Sequence, residues 1–94
     1  MNQPVIGAES RPAVARGFRL QWEAAQNAHV LLYPEGMIKL NTSAGEILKR
    51  CDGATTIADI TADLERAFAA SNLSADVIRF VNMAVEKQWL KISS

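Results

Sequence analysis

Across residues 40 to 44 the apolar residues of this chain change their spacing. Upstream, Phe18, Leu20 and Trp22 alternate with Arg19, Gln21 and Glu23, the period of two that a half-buried strand requires. Downstream, Ala44, Ile47, Leu48 and Cys51 recur at i, i+3, i+4 and i+7. That is the period of about 3.6 residues that lays one stripe along a helix. A chain that reads strands first and helices second belongs to the α+β class.

The strand half divides at its turn residues. "FRLQWE" (18–23), "AHVLLY" (28–33) and "MIKLN" (37–41) are the three predicted strands. "AAQN" and "PEG" join them, with Pro34 presetting φ and Gly36 open to a positive φ. Connections this short make an antiparallel meander. In the helical half, Ser43 and Glu46 have the spacing of a capping box, and Gly53 suits the stop of the first helix. Thr56 caps a second helix, "IADITADLERAFA", with Asp59 at its third position. Ser74 opens a third, "ADVIRFVNMAVEKQ", and "WLKI" ends the chain as a short strand or an extended tail. The 94 residues fit one domain. Residues 1–17 hold Pro4, Gly7, Pro12 and Gly17 among scattered apolar positions and are expected to be a flexible tail, leaving 18–94 as the domain. The expected architecture is a small winged-helix-like domain, a three-stranded antiparallel sheet followed by a three-helix bundle.

The third helix is greasier than a core demands. Val77, Ile78, Val81, Ala84 and Val85 make one face, and Phe80 and Met83 widen it. The apolar arc then spans roughly 220°, against little more than about 100° for a surface helix meeting its core. Two readings of this excess stand side by side. Either the helix is sandwiched between other helices and the sheet, or Phe80 and Met83 line a groove that a partner fills. Lys87, one turn past Met83, could meet a carboxylate at such a rim. The strand at Met37, Ile38, Lys39 and Leu40 would be a sheet edge, able to accept an extended peptide or to be covered by the chain's own tail or a second copy. An open edge, a loose tail and a wide apolar face also suit a homodimer.

Catalytic chemistry has no foothold. Lys plus Arg equals Asp plus Glu at 10 each, which provides no net field for nucleic acid or anionic lipid. The lone His29 lacks a positioned partner in sequence, and Cys51 lies on an apolar stripe at a helix C-terminus, where thiolate is disfavoured. A single cysteine cannot form a disulfide or a Cys-based zinc site within the chain. No phosphate-cradling or metalloprotease motif occurs. The start has no basic residues followed by an apolar run, and no apolar run is long enough to span a membrane, so a cytoplasmic, soluble protein without metal or cofactor is expected, not an enzyme. Three helices with a trailing strand also suit a DNA-binding winged helix, but the last helix offers a groove only Arg79 and Lys87. The other rival is a structural homodimer subunit.

"LLYPEGMIKLNTSAGEILKRCDG" (31–53) resembles the signature of the PqqD family, in which "LLYPEG", "LN" and "A..IL...DG" follow in this order and spacing. "FRLQWEAAQNAHV" before it and the "I..I...L" of the second helix fit as well, so the resemblance covers about residues 16–92. It implies a peptide chaperone in pyrroloquinoline quinone (PQQ) biosynthesis, the prototype of a precursor-recognition element. Such a protein binds the precursor peptide PqqA and presents it to the radical SAM enzyme PqqE. By resemblance the peptide adds as a strand along Met37, Ile38, Lys39 and Leu40, with its side chains toward Val77, Phe80, Val81, Met83 and Ala84. Which face of the strand looks into the groove is left open.

Overall fold

The computed structural model describes residues 5–93. Its elements run β1 (Arg11–Val14), β2 (Arg19–Glu23), β3 (Ala28–Tyr33), β4 (Gly36–Lys39), α1 (Thr42–Lys49), α2 (Ile57–Ala67), α3 (Ser74–Glu86) and β5 (Leu90–Ser93). Strands β2, β3 and β4 form the expected antiparallel meander, in that spatial order, so β4 is an edge. The fold is α+β, as the switch of apolar period demands. The Pro34–Glu35 turn is made without a positive φ at Gly36, so the conformational freedom expected of that glycine is not used.

The boundary expected at residue 18 does not hold. β1 pairs with β5 over Arg11↔Ser93 to Val14↔Leu90, forming a second, two-stranded sheet. Upstream of it, the carbonyls of Ala8 and Ser10 accept the amides of Ala58 and Ile57, both at 2.9 Å. These amides open α2 and would otherwise lack partners. Pro12 is fully buried and its carbonyl accepts Gly53 N–H at 2.9 Å. "RPAV" escapes a local reading because Val14 is its one strand former, and its partner lies at the far end of the chain. Residues 1–4, the rest of the expected tail, and Ser94 lie outside the described residues.

The helix starts differ in detail from expectation. Asn41, not Ser43, caps α1, its Oδ1 accepting Ala44 N–H at 2.7 Å. Glu46 forms no capping box; it takes Arg50 at 2.8 Å instead. Thr56 caps α2 as expected, through Asp59 N–H at 3.2 Å. Leu31, Leu48, Ile57, Ile60, Val77 and Val81 are among the deepest side chains, so one core joins the meander to all three helices. Among the described residues no helix is long and apolar enough to cross a membrane.

Candidate peptide-binding cleft

The free edge of β4 follows from its register. Leu40 N–H donates to His29 C=O at 3.0 Å, and the pairs Leu31↔Ile38 and Tyr33↔Gly36 lie two and four residues along. In an antiparallel ladder hydrogen-bonded pairs alternate with non-bonded ones. The backbone groups of Ile38 and Gly36 therefore turn toward β3, while those of Met37 and Lys39 turn outward. Side chains alternate in the perpendicular sense. Ile38 shares the helix-facing side of the sheet with its cross-strand neighbours Leu31 and Leu20, whereas Met37 stands opposite Leu32 on the other face. The face left open by sequence is thus the one carrying Ile38 and Leu40.

Beside this edge lies a cleft of about 330 Å³. Ile38, Lys39 and Leu40 form one wall, Phe80 and Met83 of α3 the other, and Ala44 and Ile47 of α1 the floor. Asn41, Ser43 and Asp76 close one end. Trp89 also lines the cleft. The chain leaves α3 through Gln88 at φ 67, and Trp89 N–H returns to Ala84 C=O at 2.9 Å. Lys87 does not line the cleft; its Nζ sits 6.0 Å over the Trp89 ring, within cation–π range.

Of the residues expected at the site, the structure brings together Ile38, Lys39, Leu40, Phe80 and Met83. Val77, Val81 and Ala84 are on the same helix but are only 1%, 0% and 0% exposed, so they hold α3 in the core behind the cleft. One side of the wide apolar arc is buried in the core and the other lines the cleft. Sequence reasoning missed Trp89, Ala44 and Ile47. Trp89 carried a signal, a large aromatic directly after an amphipathic helix, but its return to the cleft depends on the left-handed turn at Gln88.

Several polar groups elsewhere are paired. Arg50 binds the Glu46 carboxylate and carbonyl, each at 2.8 Å, and reaches Asp63 across to α2. Its hydrogen bond holds the Glu46 carboxyl below its ordinary range against a smaller opposing effect of burial, and the same guanidinium lowers Asp63. Arg79, a base that a DNA-reading α3 would need, pairs with Asp76 at 2.9 Å, and Asn82 donates to Ile78 C=O. Burial, aided by Asp52, pushes the Cys51 thiol up to about 12, and its Sγ donates to Ile47 C=O at 3.2 Å. Among the described residues no three His, Cys, Asp or Glu side chains gather as metal ligands.

Known proteins share this arrangement. The family described as coenzyme PQQ synthesis protein D (PqqD) matches residues 28–90. Proteins called PqqA binding protein from Stutzerimonas stutzeri and Azotobacter vinelandii are 50% and 51% identical over 82 residues, covering 86% of this chain and 89% of each relative. Among solved structures, the solution structure of the PqqD truncation of Methylobacterium extorquens PqqCD, a stand-alone recognition element for ribosomally synthesized and post-translationally modified peptides, superposes with a TM-score of 0.77. It is 29% identical and the match covers 93% of this chain and 95% of that one. The crystal structure of PqqD from Xanthomonas campestris matches at a TM-score of 0.55 and 32% identity, over 93% of this chain and 99% of that one. The strand edge, the cleft beside it and the family match together make this chain a member of the PqqD family.

Proposed function

We propose that this chain binds the precursor peptide PqqA by strand addition at β4 and presents it, in the cytoplasm, to the radical SAM enzyme PqqE for PQQ biosynthesis. The observation that carries the reading is the pairing of an open main-chain edge at Met37 and Lys39 with an apolar cleft under Ile38, Leu40, Phe80 and Met83. Main-chain hydrogen bonds supply affinity without regard to sequence, and alternate peptide side chains entering the cleft supply selectivity. Relatives about half identical to this chain carry the name PqqA binding protein, which supports PqqA as the peptide. Val77, Val81 and Ala84 act from below, by keeping α3 at its distance from β4. Lys87, outside the cleft lining but over Trp89, would meet a peptide carboxylate only beyond the rim.

Presentation needs no reactive group in this chain. A peptide held on a carrier that also docks on the enzyme reaches an effective concentration set by geometry, on the order of millimolar for short flexible tethers. Binding should depend weakly on salt, because its contacts are apolar and main-chain.

The test is an NMR titration of labelled protein with synthetic PqqA, repeated with PqqE present. Amide shifts concentrated on Met37–Leu40, Phe80, Met83 and Trp89 support the reading. Peptide binding with shifts elsewhere keeps the function and rejects the cleft. No change at saturating peptide, with or without PqqE, rejects the function.

A further inference from the structure

A second apolar recess, of about 270 Å³, opens where α1, α2 and α3 converge. It shares Ser43, Ile47 and Asp76 with the cleft beside β4, so the two adjoin around the first turn of α1. Phe68 and Leu73 form its outer wall, and Phe68 is 51% exposed although large and apolar. The loop between them has a constrained backbone. Ala69 and Asn72 take left-handed φ values of 49 and 61, and Leu73 N–H is held by the Glu65 carboxylate at 3.0 Å. Non-glycine residues adopt that region at a cost, so two of them in one short loop mark a shape the surrounding structure imposes.

We propose that this recess is a second subsite for the same peptide, taking one large apolar side chain from the stretch that runs past the Leu40 end of β4. The inference rests on the strand-addition reading above. β4 ends at Lys39 and the chain turns at once into α1. A peptide paired along β4 therefore loses its main-chain partner there and continues over Ser43, toward Phe68 and Leu73. The two carboxylates on the recess, Glu46 and Asp76, are already paired with Arg50 and Arg79 at 2.8 and 2.9 Å, so the recess selects for apolar bulk and not for charge. The Leu40 end of β4 also adjoins a recess of about 450 Å³ on the side of Trp22, Gln26, Asn27 and His29, whose polar groups do not favour such a side chain.

The subsite has a mechanical consequence. An added strand alone is free to slip by two residues and keep the same face toward the cleft. A bulky anchor in a separate recess fixes one register, and with it the place where the rest of the peptide emerges.

Calorimetric titration of the full chain with synthetic PqqA tests this. Phe68→Ser removes the wall and Ala70→Trp fills the recess, both from exposed positions, while Lys39→Pro disables the strand edge. Each recess variant is expected to bind about tenfold more weakly while still folding, with a Tm lowered by no more than several degrees in Phe68→Ser, and intermolecular NOEs should join the Phe68 ring and Leu73 methyls to one peptide side chain. Unchanged affinity in both recess variants, with binding lost in Lys39→Pro, overturns the subsite and leaves strand addition standing. NOEs to Trp22 in place of Phe68 overturn it as well. No binding by the wild type overturns the peptide-binding reading and the subsite with it.

Discussion

Gly45 of α1 packs against His29 of β3 with no room for a side chain: a Cβ there would stand 2.8 Å from the ring Nδ1 and 3.0 Å from the His29 Cβ. This contact sets how closely the first helix approaches the sheet, and α1 is the floor of the cleft. Replacing a helical glycine by alanine ordinarily gains about 1 kcal/mol. Here overpacking costs about 1–3 kcal/mol, so Gly45→Ala is expected to lower the Tm by several degrees. A thermal melt decides. A raised Tm would mean that the His29 ring swings aside freely, and Trp22, whose ring meets it edge-on at 5.0 Å, would report the change in fluorescence.

Gly53 ties the N-terminal segment to the domain. It sits at φ +80, and a Cβ would come within 3.2 Å of the Ala13 Cβ. Gly53→Ala is expected to cost about 1–3 kcal/mol from the left-handed backbone and the clash together. Its signature is faster hydrogen exchange at the amides of position 53, Ile57 and Ala58, which the N-terminal segment holds. Deleting residues 1–15 should destabilise the fold in urea. A truncated chain as stable as the full one would show that β1 contributes nothing.

Proline distinguishes the two sides of β4. Met37→Pro or Lys39→Pro removes an outward N–H and leaves the ladder to β3 intact, as an edge strand permits. Either variant should keep its fold and bind PqqA at least about tenfold more weakly, since an N–H, a hydrogen bond and local fit are lost together. Ile38→Pro removes an inward donor and should unfold the meander in a circular dichroism melt. Undiminished peptide affinity in both outward variants would rule out strand addition.

Acid sensitivity should pass through Arg50. Its hydrogen bonds lower the folded-state pKa of Glu46 and of Asp63. Groups lowered in this way add stability that is present above their unfolded pKa and is lost as pH falls through the folded value. The urea midpoint should therefore drop as pH falls through the carboxylate range, and Arg50→Gln should flatten that drop. The Glu46–Arg50 pair is partly solvated, so its share is no more than about 1 kcal/mol. An identical pH dependence in Arg50→Gln would assign the acid response to other groups.

Cys51 should be inert while the protein is folded. Its thiol is buried and held up to about 12, so almost no thiolate exists at neutral pH. Iodoacetamide at pH 8 should leave the native chain unmodified by mass spectrometry and alkylate it fully in denaturant. Rapid native labelling would show that the end of α1 opens.

Most elements were legible because they depend on neighbours in sequence. The alternation of Phe18–Glu23, the run Ala28–Tyr33 and the Pro34 turn prescribe a meander, and the i, i+3, i+4 stripe from Ala44 prescribes the first helix. The edge status of β4 followed from short connections, and Phe80 and Met83 declared themselves by widening the α3 arc beyond what a core needs. The cap of α1 was misplaced by two residues because Asn41, Thr42 and Ser43 all have capping side chains, and only the backbone turn selects Asn41. β1 was invisible because a segment of arginine, proline, alanine and valine becomes a strand only by pairing with β5.

Within the site, sequence determined which residues are apolar and on which element they lie; tertiary structure decided which of them meet solvent. Val77, Val81 and Ala84 belong to the same wide arc as Phe80 and Met83, yet the first three are buried by the packing of α3 on the core. A helix period states an angle around an axis, not what stands at that angle. Trp89 enters the cleft through a backbone reversal at Gln88, and the face of β4 that looks inward is set by its register with β3, both of them relations between distant atoms. Local periodicity therefore pointed to the two elements that flank the cleft, and only long-range packing supplied its walls and floor.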